Sequence, residues 1–212
     1  MPVTRNDVLA WITAIANVIA ENKTYLTELD SAIGDADHGA NMDRGFKAVM
    51  NKMPEMADKD IGTILKTVGM TLLSTVGGAG GPLYGTFFLQ AGMKMAGKME
   101  LTGADWAEAL ESALNGVVMR GKAELGDKTM VDALTPALTA FKQAIAERQP
   151  IHLALNRSAE AAKRGMEGTI PLVARKGRAS YLGERSAGHQ DPGATSSYLI
   201  LNAAANTWKD SV

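Results

Sequence analysis

Apolar residues recur at intervals of three and four along most of the chain, a spacing that lays them on one stripe of an α-helix. Val8, Trp11, Ile12, Ile15, Val18 and Ile19 form one stripe. Ile61, Ile64, Leu65, Val68 and Leu72 form a second, and Trp106, Leu110, Leu114, Val117 and Val118 a third. Less regular repeats predict further helices over Tyr25–Ile33, Met42–Met53, Leu83–Lys98, Met130–Ala146, Leu153–Gly165 and Ala194–Trp208. Pro54 is expected to end one segment and Asp60 to cap the next, whereas Pro136 falls inside a helical pattern and marks either a kink or a first turn. Only Ile170–Ala174 and Tyr198–Leu201 carry strand-like apolar runs, and neither has a partner with period-two alternation. An all-α fold is therefore expected in preference to an α+β one.

Four stretches break the helical pattern: Gly34–Asn41, Val76–Pro82, Gly121–Lys128 and Lys176–Ser197. Binding and catalytic residues concentrate in such loops. The last is the most informative, since a loop of about twenty residues inside a compact domain is usually functional or disordered. No internal repeat, low-complexity tract or linker-like shift in composition divides the chain, so one domain over residues 1–212 is expected.

With 46% hydrophobic residues, the chain can bury one substantial core. Its formal net charge is −1, so no global field favours nucleic acid or an anionic membrane, and neither is expected as a partner. The absence of cysteine excludes disulfides, thiolate metal sites and cysteine nucleophiles. No secretory pattern stands at Met1–Leu9 and no apolar run is long enough to span a bilayer. A cytoplasmic location is the expectation.

Asp30 would close a helix, and Asp35 and Asp37 alternate with small residues just beyond it. Three carboxylates can converge there on hard divalent cations such as magnesium, which take oxygen ligands together with phosphate oxygens and water. Aspartates beside glycines also make turns and cap helices, a role that fits each of them singly. An EF-hand calcium loop fails on spacing, because counting from Asp35 puts Ala40 at its glycine position and Phe46 at its glutamate position. His38 can serve as ligand, general base or simply a polar loop residue, with nucleotide contact ranked first because of its neighbours.

The glycine-rich run VGGAGGP at residues 76–82 lies between two helices, where free amides can face an anion, although it matches neither the Walker nor the dinucleotide pattern. Its alternative role is a sharp turn or tight helix packing. Arg175, Lys176, Arg178 and Arg185 supply cations suited to phosphate oxygens; a solvated basic face is the simpler reading of that cluster.

Four segments carry a family resemblance: IGDADHGANMDRGF, GMTLLSTVGGAGGPLYGTFF, RGKAELGDKTMVDAL and ARKGRASYLGERSAGHQDPGATS. In order and spacing the chain resembles the ADP-binding L subunits of bacterial dihydroxyacetone kinases, nearly end to end. The resemblance implies a barrel of eight antiparallel helices with the nucleotide held at one end by interhelical loops. It implies that Asp30, Asp35 and Asp37 bind two magnesium ions bridging the phosphates of ADP. Implied nucleotide contacts are His38, Gly39, Ala40, Asn41, Ala79, Gly80, Gly121, Met130, Arg178, Asp191, Pro192 and Gly193. One departure is Gly80, where the family often carries serine or threonine, so that a hydroxyl contact is missing and only the amide remains.

The activity implied is that of a phosphoryl carrier. ADP is phosphorylated in place by a phosphohistidine M subunit of the sugar phosphotransferase system, and the phosphoryl group passes to dihydroxyacetone on a separate K subunit. Two alternatives stand beside it: an ATP-dependent ketose kinase subunit with exchangeable nucleotide, and a non-catalytic nucleotide-dependent module acting on a transcriptional regulator. Phosphoryl transfer asks mainly for positioning and charge neutralisation, and no catalytic base is assigned in this chain.

Overall fold

The computed structural model describes residues 2–209; the ends of the 1–212 range expected as a domain, residues 1 and 210–212, lie outside the described residues. Among the described residues the chain forms nine α-helices. They are α1 (Arg5–Glu21), α2 (Lys23–Ile33), α3 (His38–Met56), α4 (Ile61–Thr75), α5 (Gly80–Lys94), α6 (Gly103–Gly121), α7 (Met130–Ala146), α8 (Ile151–Gly168) and α9 (Pro192–Thr207). Caps written in the sequence set many of their starts. Thr4, Thr102 and Thr129 each form a reciprocal capping box with the aspartate three residues on. The Asp60 side chain accepts from the Thr63 amide at the start of α4, as expected.

Two details differ from the sequence expectation, and a third falls inside a helix as its pattern placed it. Pro54 does not end α3, which continues to Met56; a proline so near a helix end removes a single rung of the ladder. Pro136 lies within α7, where α8 fits beside it: a methyl on Gly165 would lie 2.1 Å from the Asp132 carbonyl oxygen left without its proline partner. Neither strand-like run is a strand. Residues 170–174 form turn and irregular chain, and Tyr198–Leu201 lies within α9. Among the described residues the strands are β1 (Val3–Thr4) and β2 (Glu100–Leu101), antiparallel with Val3 opposite Leu101, too short to leave an alternating pattern.

From α3 to α9 each helix packs on the next, α9 returns to α1, and α1 packs on α3, while α2 lies against α3 and α9. One apolar cluster threads these helices. The α4–α5 approach depends on glycine: a methyl on Gly69 would lie 2.7 Å from the Gly85 carbonyl oxygen, and one on Gly62 2.7 Å from that of Gly92. Trp11, Trp106 and Trp208 meet edge to face with ring centres 5.0–5.4 Å apart, and Phe88 packs beside Trp11. The Trp11 indole donates to the Ile200 carbonyl and that of Trp208 to the Asp7 carbonyl. No helix among the described residues is long and apolar enough to cross a membrane.

Consecutive helices joined by short connections run in opposite directions. The N-termini of α3, α5, α7 and α9 therefore gather at one end with the C-termini of α2, α4 and α6, and residues from each of these ends line one cavity. The tryptophan cluster sits toward the other end, near the start of α6 and the end of α9. Gly69→Ala is expected to force α4 and α5 apart and to destabilise the protein by about 1–3 kcal/mol, read as a lower midpoint in urea denaturation at unchanged helix content.

Candidate functional site

The helix ends enclose a cavity of about 460 Å³. On one wall stand the three aspartates. Asp30 lies on the last turn of α2, and Asp35 and Asp37 lie on the turn that reverses the chain into α3. Ala36 occupies left-handed backbone space with φ 60°, which a residue with a side chain seldom adopts. This turn brings one oxygen from each carboxylate within 4.8 Å of the others. Asp30 is buried and accepts from the Asp37 amide (2.8 Å) and the His38 amide (3.1 Å), so a carboxylate from α2 occupies the N-terminus of α3. Gly34 leaves room for it, since a methyl there would lie 2.0 Å from Asp30 Oδ1.

Across the cavity lies the turn Gly77–Gly80, with Gly78 at φ 61°. No side chain caps the first amides of α5, which leaves them free for an anion at a helix N-terminus. Just before this turn Arg44 ties α3 to the end of α4, donating to Asn41 Oδ1 at 2.7 Å and to the Thr75 carbonyl at 2.9 Å. A third wall is apolar, formed by Ile33, Leu83, Val117, Met130, Val131 and Ala179. The donor set suits a hard cation on one side and a planar apolar group on the other.

His38 Nε2 and Ser196 Oγ are 2.8 Å apart, and Tyr84 Oη lies 2.6 Å from the same serine oxygen while donating to the Gly193 carbonyl. This chain of polar groups fixes the start of α9 against α3 and α5. Burial lowers the pKa of His38 despite the three aspartates facing it. Burial raises that of Tyr84. Arg178, at the start of a 3-10 segment (Arg178–Ser186), reaches Asp35 with its Nε 2.9 Å from the carboxylate. This pair is exposed to solvent and adds little stability.

Of the residues singled out in the sequence, the cavity wall includes Asp30, Asp35, Asp37, His38, Asn41, Ala79, Gly80, Gly121, Met130, Arg178, Asp191, Pro192 and Gly193. Gly39 and Ala40 are not part of it. Gly39 instead packs against α2, where a methyl would lie 2.0 Å from the Lys23 carbonyl oxygen. Lys176 lines the cavity, whereas Arg175 and Arg185 do not. Sequence reasoning did not single out Tyr84, Arg120, Lys128 or Thr129, which also line it. Lys128 and Thr129 stand inside the RGKAELGDKTMVDAL segment, but a lone lysine in a polar loop carries no mark of burial.

Comparison with known proteins matches residues 32–206 to the DAK2 domain family. The chain is 46% identical over 210 residues to the ADP-binding subunit of the PEP-dependent dihydroxyacetone kinase of Escherichia coli strain K12, covering 99% of this chain and 100% of that one. It is 40% identical to the ADP-binding subunit of the PTS-dependent dihydroxyacetone kinase of Lactococcus lactis, over 93% of this chain and 95% of that one. Among solved structures, the dihydroxyacetone kinase from C. freundii in complex with AMP-PNP and Mg2+ superposes with a TM-score of 0.73 at 27% identity. That match covers 97% of this chain but only 34% of the other, so the chain spans about a third of the larger kinase.

Asp191, buried at the N-cap of α9, has its pKa pushed up to about 7, chiefly by desolvation, with Asp132 and Asp30 adding to the rise and the Ala194 amide and Lys128 opposing it. In an unfolded chain the same carboxyl titrates at about 4. The folded form binds this proton more tightly, so the contribution to stability falls as pH rises from about 4 to about 7 and is level above that. Asp191→Asn keeps an oxygen for the Ala194 amide. It is expected to flatten this fall and to stabilise the nucleotide-free protein above about pH 7 by on the order of 1 kcal/mol or more. Thermal denaturation across pH checks it, and a slope equal to that of the unaltered protein would show that the carboxyl ionises normally.

Proposed function

Because this chain belongs to the DAK2 domain family, we infer that it is the ADP-binding subunit of a phosphoenolpyruvate-dependent dihydroxyacetone kinase. It acts as a phosphotransferase subunit: it carries ADP, receives a phosphoryl group from a phosphohistidine M subunit and passes it to dihydroxyacetone on the K subunit. Similarity over the full length of an ADP-binding subunit named as PEP-dependent supports the carrier form, whereas the C. freundii kinase in complex with AMP-PNP and Mg2+ is a longer chain of which this one covers 34%. The observation that carries the reading is the carboxylate trio facing the glycine-rich amides of α5 across one cavity.

In this reading Asp30, Asp35 and Asp37 hold two magnesium ions. Three carboxylate oxygens so close together, with Arg178 as their nearby cation, form the oxygen donor set such ions take. When bound, the ions supply charge neutralisation to the phosphates. The other contacts follow from the remaining residues. The amides of Ala79 and Gly80 face the phosphates, and that of Gly80 does so without a side-chain hydroxyl. His38, Asn41 and Asp191–Gly193 border the nucleotide at the starts of α3 and α9, whose first amides are already held by the Asp30 and Asp191 carboxylates. Gly121 and Met130 border the apolar wall that suits the base, and Arg178 reaches the outer phosphate oxygens. Gly39 lets α2 lie close against α3 instead of touching the nucleotide.

The helix circuit that leaves α2 aside is read as a barrel of eight antiparallel helices, supported by the return of α9 to α1. A single domain over 1–212 is supported by one apolar cluster shared among the helices. A cytoplasmic location agrees with the cysteine-free sequence.

Protein purified without added nucleotide and denatured in acid is expected to release stoichiometric ADP, identified by mass spectrometry. Dihydroxyacetone phosphate made by the reconstituted subunits only when ATP is supplied would exclude the carrier form. Asp37→Asn is expected to speed ADP release by roughly tenfold or more with helix content unchanged; full ADP content after purification would contradict a metal-ligand role for Asp37.

A further inference from the structure

Lys128 is among the largest fully buried side chains, at 1% exposure. Its ammonium donates to the carbonyl oxygens of Thr169 (2.9 Å), Leu172 (3.0 Å), Ile170 (3.4 Å) and His189. An ammonium has three N–H bonds, which these four acceptors share. The acceptors belong to the two ends of one segment, one directly after α8 and one just before α9. Three further bonds tie the same junction: Gly188 N–H to the Ile170 carbonyl, Asp191 N–H to Thr169 Oγ1, and Arg175 N–H to the Asp127 carbonyl.

Two features make this more than a packing contact. Every hydrogen-bond partner of the ammonium is a neutral carbonyl, with the Asp191 carboxyl near but not bonded to it, and burying a charge without a bonded counter-ion is costly; a neutral donor would tie the same loop with a smaller penalty. Burial lowers the pKa of Lys128, with Asp191 opposing that effect. The residue also lines the cavity, and its backbone is held at φ 63° directly before Thr129, the cap of α7. One positive charge thus links the starts of α7 and α9 and both ends of the 169–191 segment that bears Arg178.

We propose that Lys128 is a positioning residue of the nucleotide site, clamping both ends of the 169–191 segment so that Arg178 and the α9 N-terminus face the carboxylate trio, and lending its charge to the phosphate side of the cavity. The proposal rests on reading the cavity as a magnesium–nucleotide site. Lys128→Met removes the charge and keeps the length. Losing hydrogen bonds to a buried charged group predicts release of Mg·ADP about 10- to 100-fold faster.

Hydrogen exchange of the nucleotide-free variant should show faster exchange at Arg175, Gly188 and Asp191 with α4 and α5 unchanged. A cage of carbonyl oxygens also suits a monovalent cation. In Lys128→Ala, ammonium or potassium ions should therefore restore part of the retention, and choline should not, a response that lost packing alone would not give. Should the methionine variant fail to fold, Lys128→Arg decides: a planar guanidinium cannot converge its donors on one point, and release should still quicken several-fold. Release and exchange rates equal to those of the unaltered protein in a folded variant would overturn the proposal. If the unaltered protein itself holds no Mg·ADP, the nucleotide reading fails, and the exchange pattern of the nucleotide-free variant still decides whether Lys128 is the clamp.

Discussion

Alternation of helix direction is the constraint on which the site depends. Each helix end leaves unpaired amides or carbonyls and a partial charge. Packing neighbours antiparallel sends the positive ends of α3, α5, α7 and α9 to a single rim. Close approach makes that convergence sharp, and at α4–α5 it is bought with glycine rather than with larger apolar groups. Loops at the rim can then be short, because the helices themselves aim the backbone.

The same rim carries groups that oppose one another. Asp30 sits on the last turn of α2, where the helix dipole disfavours a negative charge. Its two nearest carboxylates add repulsion, against which stand the Asp37 and His38 amides and the Arg178 guanidinium. Asp191 is buried with a raised pKa, and Lys128 is buried among carbonyls. Such local conflicts are unfavourable for folding and are expected where a protein is shaped around a ligand rather than around its own stability.

The helices were legible in the sequence because the stripes through Trp11, Ile64 and Trp106 are long and regular, and the rim loops were legible because glycine and charge interrupt those stripes. What escaped reading depends on long-range contact. β1 and β2 are two-residue strands joined across nearly a hundred positions. Pro54 obeys a rule that weakens near a helix end. At the site, the aspartates announced themselves by clustering along the chain. Tyr84 and Lys128 acquire their roles only when Ser196 or His189 is brought to them from far along the chain. The family resemblance marked Gly39 and Ala40 together with their neighbours, and only the helical turn distinguishes which of the run faces the cavity.

The indoles of Trp11, Trp106 and Trp208 are the chain's full complement of three, and all share one cluster toward the end away from the cavity. Their ultraviolet emission is therefore a gauge of whether the helices are assembled. It is largely blind to whether the rim is filled, so occupancy must be followed through a reporter carried by the ligand itself.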